Sequence, residues 1–295
     1  MNRFPSLKLF ALLAVGLLAA HVARAGEPPL GPEYRVGGFV VGCQAYMFHR
    51  FTAFEAIEKT AAAGGKVIEF YPGQSFSPDD PKTKLTHNLS DEALQRLQDK
   101  LKQHNLIAVN YGVVSIPRDE ADARRLFEFG KKLGVRAITT EPAAEQMDLI
   151  EKLVKEFDMP VAIHNHPSHK NDPSYRLWDP KYAFSLVKGR DMRIGTCGDI
   201  GHWSRSGVDP IEALKLFEGR VISIHLKDVV AANPDSTDVP LGLGISKTRE
   251  VLQELRRQKF DGNISIEYER DWENTVPDIA QGIGYIRGFS DTTGK

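Results

Sequence analysis

Glu141, Asp199, His225 and Glu267 each close or directly follow a short β-branched run, and His202, Lys227 and Asp228 stand within three residues of two of them. Three carboxylates and an imidazole offer hard and borderline donors to one divalent ion, with coordination positions left over for a substrate. So oxygen-rich a set suits Mn2+ first, with Mg2+, Co2+ or Zn2+ as alternatives. Taken singly, each of these residues reads equally well as half of a salt bridge or as a solvated strand end. Four at equivalent ends of successive strands point instead to one shared site.

Such a site needs elements that bring distant residues to one face. Strand-like runs fall at 39–43 (β1), 67–71 (β2), 107–111 (β3), 137–141 (β4), 160–164 (β5), 193–197 (β6), 221–226 (β7) and 263–268 (β8). Between and after them, segments 54–63, 91–104, 120–133, 144–156, 180–188, 210–217, 247–258 and 276–289 carry apolar residues at spacings of three and four, the helical period. Ser90 before Asp91 and Asp209 before Pro210 are helix-start signals, and Gly64-Gly65, Gly134 and Gly189 punctuate helix ends. Strict strand–helix alternation with short connections predicts a parallel sheet with crossover helices. Eight such units with no remainder predict an α/β fold in the form of a single (β/α)8 TIM barrel over residues 38–295. No Gly-x-Gly-x-x-Gly follows β1, which weighs against a dinucleotide-binding sheet. The longest connections, 74–89, 167–179 and 229–245, follow β2, β5 and β7 and are expected on the C-terminal face, where the sites of this fold lie.

The N-terminus reads as a targeting segment. Arg3 and Lys8 precede the apolar run 9–20, and Ala23-Arg24-Ala25 places small residues ahead of a cleavage point at Gly26. This is the layout of a signal peptide over residues 1–25, with 26–37 as a Pro/Gly-rich lead-in, and the apolar run is too short for a membrane span. The expected location is therefore outside the cytoplasm, periplasmic or secreted, with no membrane attachment after cleavage. Loss of three basic residues and no acidic one takes the formal charge from −1 to −4, which gives no pull towards nucleic acid. Cys43 on β1 and Cys197 on β6 lie three strands apart around the ring, so two buried thiols are expected rather than a disulfide.

The chain resembles the sugar isomerase and epimerase barrels of the xylose-isomerase-like superfamily. The resemblance runs through FEAIEKTAAAGGKVIEFY at 54–71, GDIGHWSRSGVDP at 198–210, ISIHLKDV at 222–229 and ISIEYE at 264–269. It implies a metal held by Glu141, Asp199, His225 and Glu267, the first and last doubling as the groups that remove and return the proton α to a carbonyl through an enediolate. It also implies that His202 binds a substrate oxygen. Glu69 at the end of β2, one imidazole of the His164-Asn165-His166 run, with His166 as the candidate, and Lys227 are further candidates for substrate contact. Phe48, Tyr71, Trp178, Trp203 and Trp272 are placed to stack on a sugar ring or simply to pack. The three-zinc DNA-repair branch of the superfamily is disfavoured: Glu69 and Asn110-Tyr111 stand where it carries histidines, and no Asp-x-His follows Asp228.

The expected activity is isomerisation or epimerisation of an unphosphorylated keto sugar, since no Gly-rich phosphate cradle is present. An alternative is a lyase that abstracts the proton beside the carbonyl of a 3-keto-glycoside and expels the glycosidic oxygen. A non-catalytic carbohydrate-binding barrel is a third reading. The partner in each case is a small sugar or keto-glycoside, and a homo-oligomer is left open.

Overall fold

The computed structural model describes residues 29–169 and 171–293; the expected signal peptide lies outside them. Eight parallel strands form a closed ring: β1 (Phe39–Gln44), β2 (Val67–Phe70), β3 (Ile107–Tyr111), β4 (Ala137–Thr140), β5 (Val161–His164), β6 (Ile194–Asp199), β7 (Val221–Leu226) and β8 (Asn263–Ile266). Each pairs with its neighbour in sequence, and β8 closes on β1 with Ile264 opposite Val41. The single (β/α)8 barrel expected from the sequence is the fold.

The helices packed outside are α1 (Ala53–Ala62), α2 (Asp91–Gln103), α3 (Glu120–Leu133), α4 (Met147–Phe157), α5 (Pro180–Val187), α6 (Pro210–Leu216), α7 (Thr248–Arg257) and α8 (Val276–Thr293). Their starts follow local chemistry. Thr52 and Glu55 form a reciprocal capping box on α1, and Asp179 and Asp209 cap helices that open with proline. Gly134 ends α3 at φ +82°, a conformation in which a Cβ is strained. No helix among the described residues is long and apolar enough to cross a membrane.

Side chains of the barrel strands alternate, apart from register irregularities between Ile68 and Glu69 on β2 and between Val221 and Ser223 on β7. One set faces the helices and builds the large outer core; the other fills the barrel itself in layers. Val40, Val67 and Val109 form the lowest interior layer, and Leu30 and Tyr34 of the lead-in pack beneath it. Arg35–Val36 folds back antiparallel on β1, so the described part of the lead-in closes the bottom of the barrel. Ala137, Ala162, Cys197 and Ile222 form the next layer. Cys43 faces the helices while Cys197 faces the barrel axis; both thiols are buried and free, and burial pushes the Cys43 thiol up to about 12.

Three features depart from the periodic pattern. The connection after β2 holds a small antiparallel hairpin, Ser75–Ser77 with Asp80–Lys84. A short helix, Ile200–Arg205, follows β6 directly, and a 3-10 turn, Ala45–Phe48, follows β1. The last two set the walls of the site.

Candidate active site

Above the apolar layers, each strand places its next inward residue in polar company. Glu69, fully buried, accepts hydrogen bonds from Thr139 Oγ1 (2.7 Å), Ser265 Oγ (2.8 Å) and His225 Nε2 (3.0 Å). Expected at a sugar hydroxyl, Glu69 instead sits one layer below the cavity, with both oxygens engaged by the protein. Because His225 donates through Nε2, its other nitrogen, Nδ1, is turned upward, 3.2 Å from Glu267 Oε1.

β5 contributes more than the sequence suggested. His164 is buried and His166 half-exposed, and both donate through Nδ1 to the same oxygen of Glu141, at 2.8 and 2.6 Å; Tyr175 OH adds a third donor at 3.1 Å. Burial works against charge on Glu141, but the two imidazoles prevail and bring its pKa down to about 2. Asn165 between them clamps the next strand: its side chain accepts from Asp199 N at 3.0 Å and donates to Asp199 O at 3.2 Å.

Asp199 caps the short helix Ile200–Arg205, with Oδ1 accepting from His202 N at 2.7 Å. Oδ2 is left facing inward, 3.8 Å from His164 Nε2 and 3.5 Å from both His202 Nε2 and Lys227 Nζ. Gly201 is required here, since a Cβ would lie 2.7 Å from the Lys227 stem. Lys227 is fully buried and pairs with Glu269, with Glu267 at 2.9 Å and with Asp199. Burial opposes its charge, yet those carboxylates hold it protonated and keep Glu267 ionised. His202 lies between Lys227 Nζ (3.2 Å) and Arg205 Nη1 (3.1 Å); burial drives its pKa well down, so it is neutral.

The loop after β7 is organised by Asp228. Its carboxylate accepts from the backbone of Val229, Gly242, Gly244 and Ser246 and from Thr248 Oγ1. The same loop returns Asp238 to the site wall, where it pairs with Arg205 and accepts from Glu269 N at 2.8 Å.

Among the described residues, His164 Nε2, Asp199 Oδ2 and His225 Nδ1 are buried side-chain atoms without a hydrogen-bond partner. The three residues can present ligand atoms within 4.8 Å of one another. Buried polar atoms that converge without a hydrogen bond carry a desolvation cost that a cation would offset, so the donor set fits a divalent ion. Adjacent sets, Asp199–His202–Glu267 and Glu141–His164–His166, share members with it. Of the four expected ligands, Asp199, His225 and Glu267 thus come together, while Glu141 reaches them only through His164. The role of His164 was legible only as one of two candidate imidazoles, because periodicity does not say how far the next strand leans inward.

A cavity of about 380 Å³ opens above this floor, within the usual range for small-molecule sites. His164, His166, His202, Glu267 and Glu269 line its polar side; Gln44, Tyr46, Tyr71, Pro72 and Val113 line the other. Among the aromatic candidates, Tyr71 faces the cavity, while Phe48 and Trp203 are buried in the outer core.

The sequence profile described as xylose isomerase-like TIM barrel matches residues 57–289. An uncharacterised protein from Parabacteroides distasonis is 32% identical and superposes with a TM-score of 0.69 over 85% of this chain and 99% of that one. A D-allulose 3-epimerase from Methylomonas sp. shares the fold at 13% identity, with a TM-score of 0.66 over 90% of this chain and 99% of its own. The probable 3-DHS dehydratase AsbF from Bacillus anthracis does so at 16% identity, with a TM-score of 0.62 over 83% and 97%. No curated protein matches the chain.

Proposed function

The chain belongs to the xylose isomerase-like TIM-barrel family, and from that premise we propose that it is an enzyme that removes the proton α to the carbonyl of an unphosphorylated sugar, as an isomerase or epimerase. The observation that carries this reading is the convergence of three orphaned buried donors, His164 Nε2, Asp199 Oδ2 and His225 Nδ1, beneath a cavity lined by Glu267. His164, Asp199, His225 and Glu267 would hold one divalent ion, Mn2+ first, with Mg2+, Co2+ or Zn2+ as alternatives. Such an ion supplies Lewis acidity towards a carbonyl oxygen.

The protein's own groups supply the proton transfers. Glu267 lines the cavity as a carboxylate, because burial is outweighed by Lys227 and His225 in setting its pKa low. It is the candidate base. His166, also lining the cavity and backed by the ionised Glu141, is placed to carry a proton on the β5 side, three strands away around the ring. Glu141 therefore acts through an imidazole. His202, neutral and in the lining, is the candidate partner for a substrate hydroxyl, and Lys227 holds Glu267 and Glu269 in place.

Among the described residues no arginine lines the cavity, and Lys227, beside Glu267, is already paired with three carboxylates. That balance suits an uncharged sugar. The leader-like residues 1–25 support an exported protein that acts in the periplasm or outside the cell. The second reading, elimination from a keto-glycoside, starts from the same proton abstraction. It is favoured by one observation: the apolar side formed by Tyr46 and Tyr71, which leaves room for a group beyond the reacting ring.

Incubation with keto sugars in D2O tests the proposal. The wild-type protein loaded with Mn2+ is expected to wash solvent deuterium into the α-position, and Glu267→Gln to lose this while remaining folded. Full exchange by Glu267→Gln would contradict the assignment of the base.

A further inference from the structure

The apolar side of the cavity does not end at its lining. Tyr46 is 45% exposed, unusual for a large ring among the described residues. It is held rigidly by the 3-10 turn after β1, its backbone N donating to Gln44 Oε1 at 2.7 Å. Around it three further rings form a continuous shelf. His49 stacks on Tyr46 with centroids 4.9 Å apart and planes 22° from parallel, and Trp272 meets the edge of His49 at 4.4 Å. Tyr71 meets Tyr46 edge-on at 5.3 Å on the cavity side, and Trp272 does so at 6.0 Å on the other. Tyr46 and Tyr71 line the cavity; His49 and Trp272 continue the ring cluster beside Tyr46, outside the lining.

One cavity therefore presents two chemistries: imidazoles and carboxylates on one side, tyrosine rings with their aromatic neighbours on the other. A free monosaccharide filling the floor would leave the shelf wet. We infer that the shelf is a binding subsite for a second ring, attached to the reacting sugar and presenting a flat apolar face, so that the natural substrate is a glycoside. This inference rests on the proton-abstraction reading above, in its keto-glycoside form, and names the substrate class for that site. The second ring is either another sugar, through its C–H face, or an aromatic aglycone; both use the same stacking.

Binding of methyl β-glucoside, phenyl β-glucoside and cellobiose to the full, Mn2+-loaded protein, read by calorimetry, tests it. At least one two-ring ligand is expected to bind about threefold to tenfold more tightly than methyl glucoside, the range that aromatic contacts provide. A gain with phenyl glucoside alone assigns the shelf to an aromatic aglycone, and a gain with cellobiose alone assigns it to a second sugar; either supports the inference. In Tyr46→Ala and, separately, Trp272→Ala, the ratio of two-ring to one-ring affinity is expected to fall to about one. Tyr46 is exposed enough for its truncation to leave the fold intact, so loss of the ratio there does not reflect unfolding. Equal affinities for all three ligands, or a gain that survives both substitutions, would overturn the subsite. Because methyl glucoside still reports on the floor of the cavity, failure of the shelf is distinguishable from failure of the site itself.

Discussion

The two ends of the barrel interior are built by the same strands and differ completely in chemistry. At the lower end, Ala162 on β5, Cys197 on β6 and Ile222 on β7 meet as an apolar layer. Two residues further along, β5 presents His164 and β6 Asp199, and β7, three residues on and past its bulge, presents His225; all three are buried and each has an atom without a hydrogen bond. The lower layer gains from exclusion of water; the upper bears a desolvation cost that its ion pairs offset in part and a bound cation would offset further. Stability and reactivity are thus separated by two to three residues of strand, roughly 6–10 Å.

Substitutions at the two ends should separate cleanly. Ile222→Ala, at the lower end, is expected to destabilise by about 2–5 kcal/mol in denaturant unfolding, while the exchange rate per folded molecule stays near wild type. Glu69→Gln, between the two layers, tests the coupling of the ends. Glu69 sets which nitrogen of His225 faces upward, so metal affinity by chelator competition should fall about tenfold to a hundredfold with little change in unfolding midpoint. A large loss of stability with unchanged affinity would make Glu69 purely structural. The smallest effect is expected below the barrel, at Asp191, which Arg193 engages through its backbone N, Nε and Nη2. These bonds bring the Asp191 carboxyl down to about 2, below its ordinary value of 3.8. The folded state therefore binds this proton less readily than the unfolded state. The stabilisation is full above about pH 4 and is lost as pH falls through about 2. Asp191→Asn should cost about 1 kcal/mol at pH 7 in urea unfolding, a difference that narrows on acidification without altering the site.

Much of this comparison was legible in the sequence. All eight strands were marked by short β-branched runs, and Asp199, His225 and Glu267 were picked out because ionisable groups at strand ends are costly without a purpose. The hairpin at 75–84 was not legible, because its polar strands carry no buried alternation. The short helix Ile200–Arg205 was hidden too: it is buried throughout and so lacks a polar face to give it a period. Glu69 and Tyr71 show the limit most clearly. Both were read at the end of β2, and only the strand's register in the closed ring reveals that Glu69 points into a sealed layer while Tyr71 reaches the cavity. In the His-Asn-His run, each residue does separate work: His164 at the ligand cluster, Asn165 on the next strand and His166 in the cavity.

His164 is where the structural reading departs furthest from a set composed of Glu141, Asp199, His225 and Glu267 alone. The decisive measurement is the metal content of the purified protein, loaded with Mn2+ and desalted, in wild type and in His164→Ala. The site described here predicts about one equivalent per chain in the wild type and none retained in the variant. A full equivalent in His164→Ala, or none in the wild type, would contradict it.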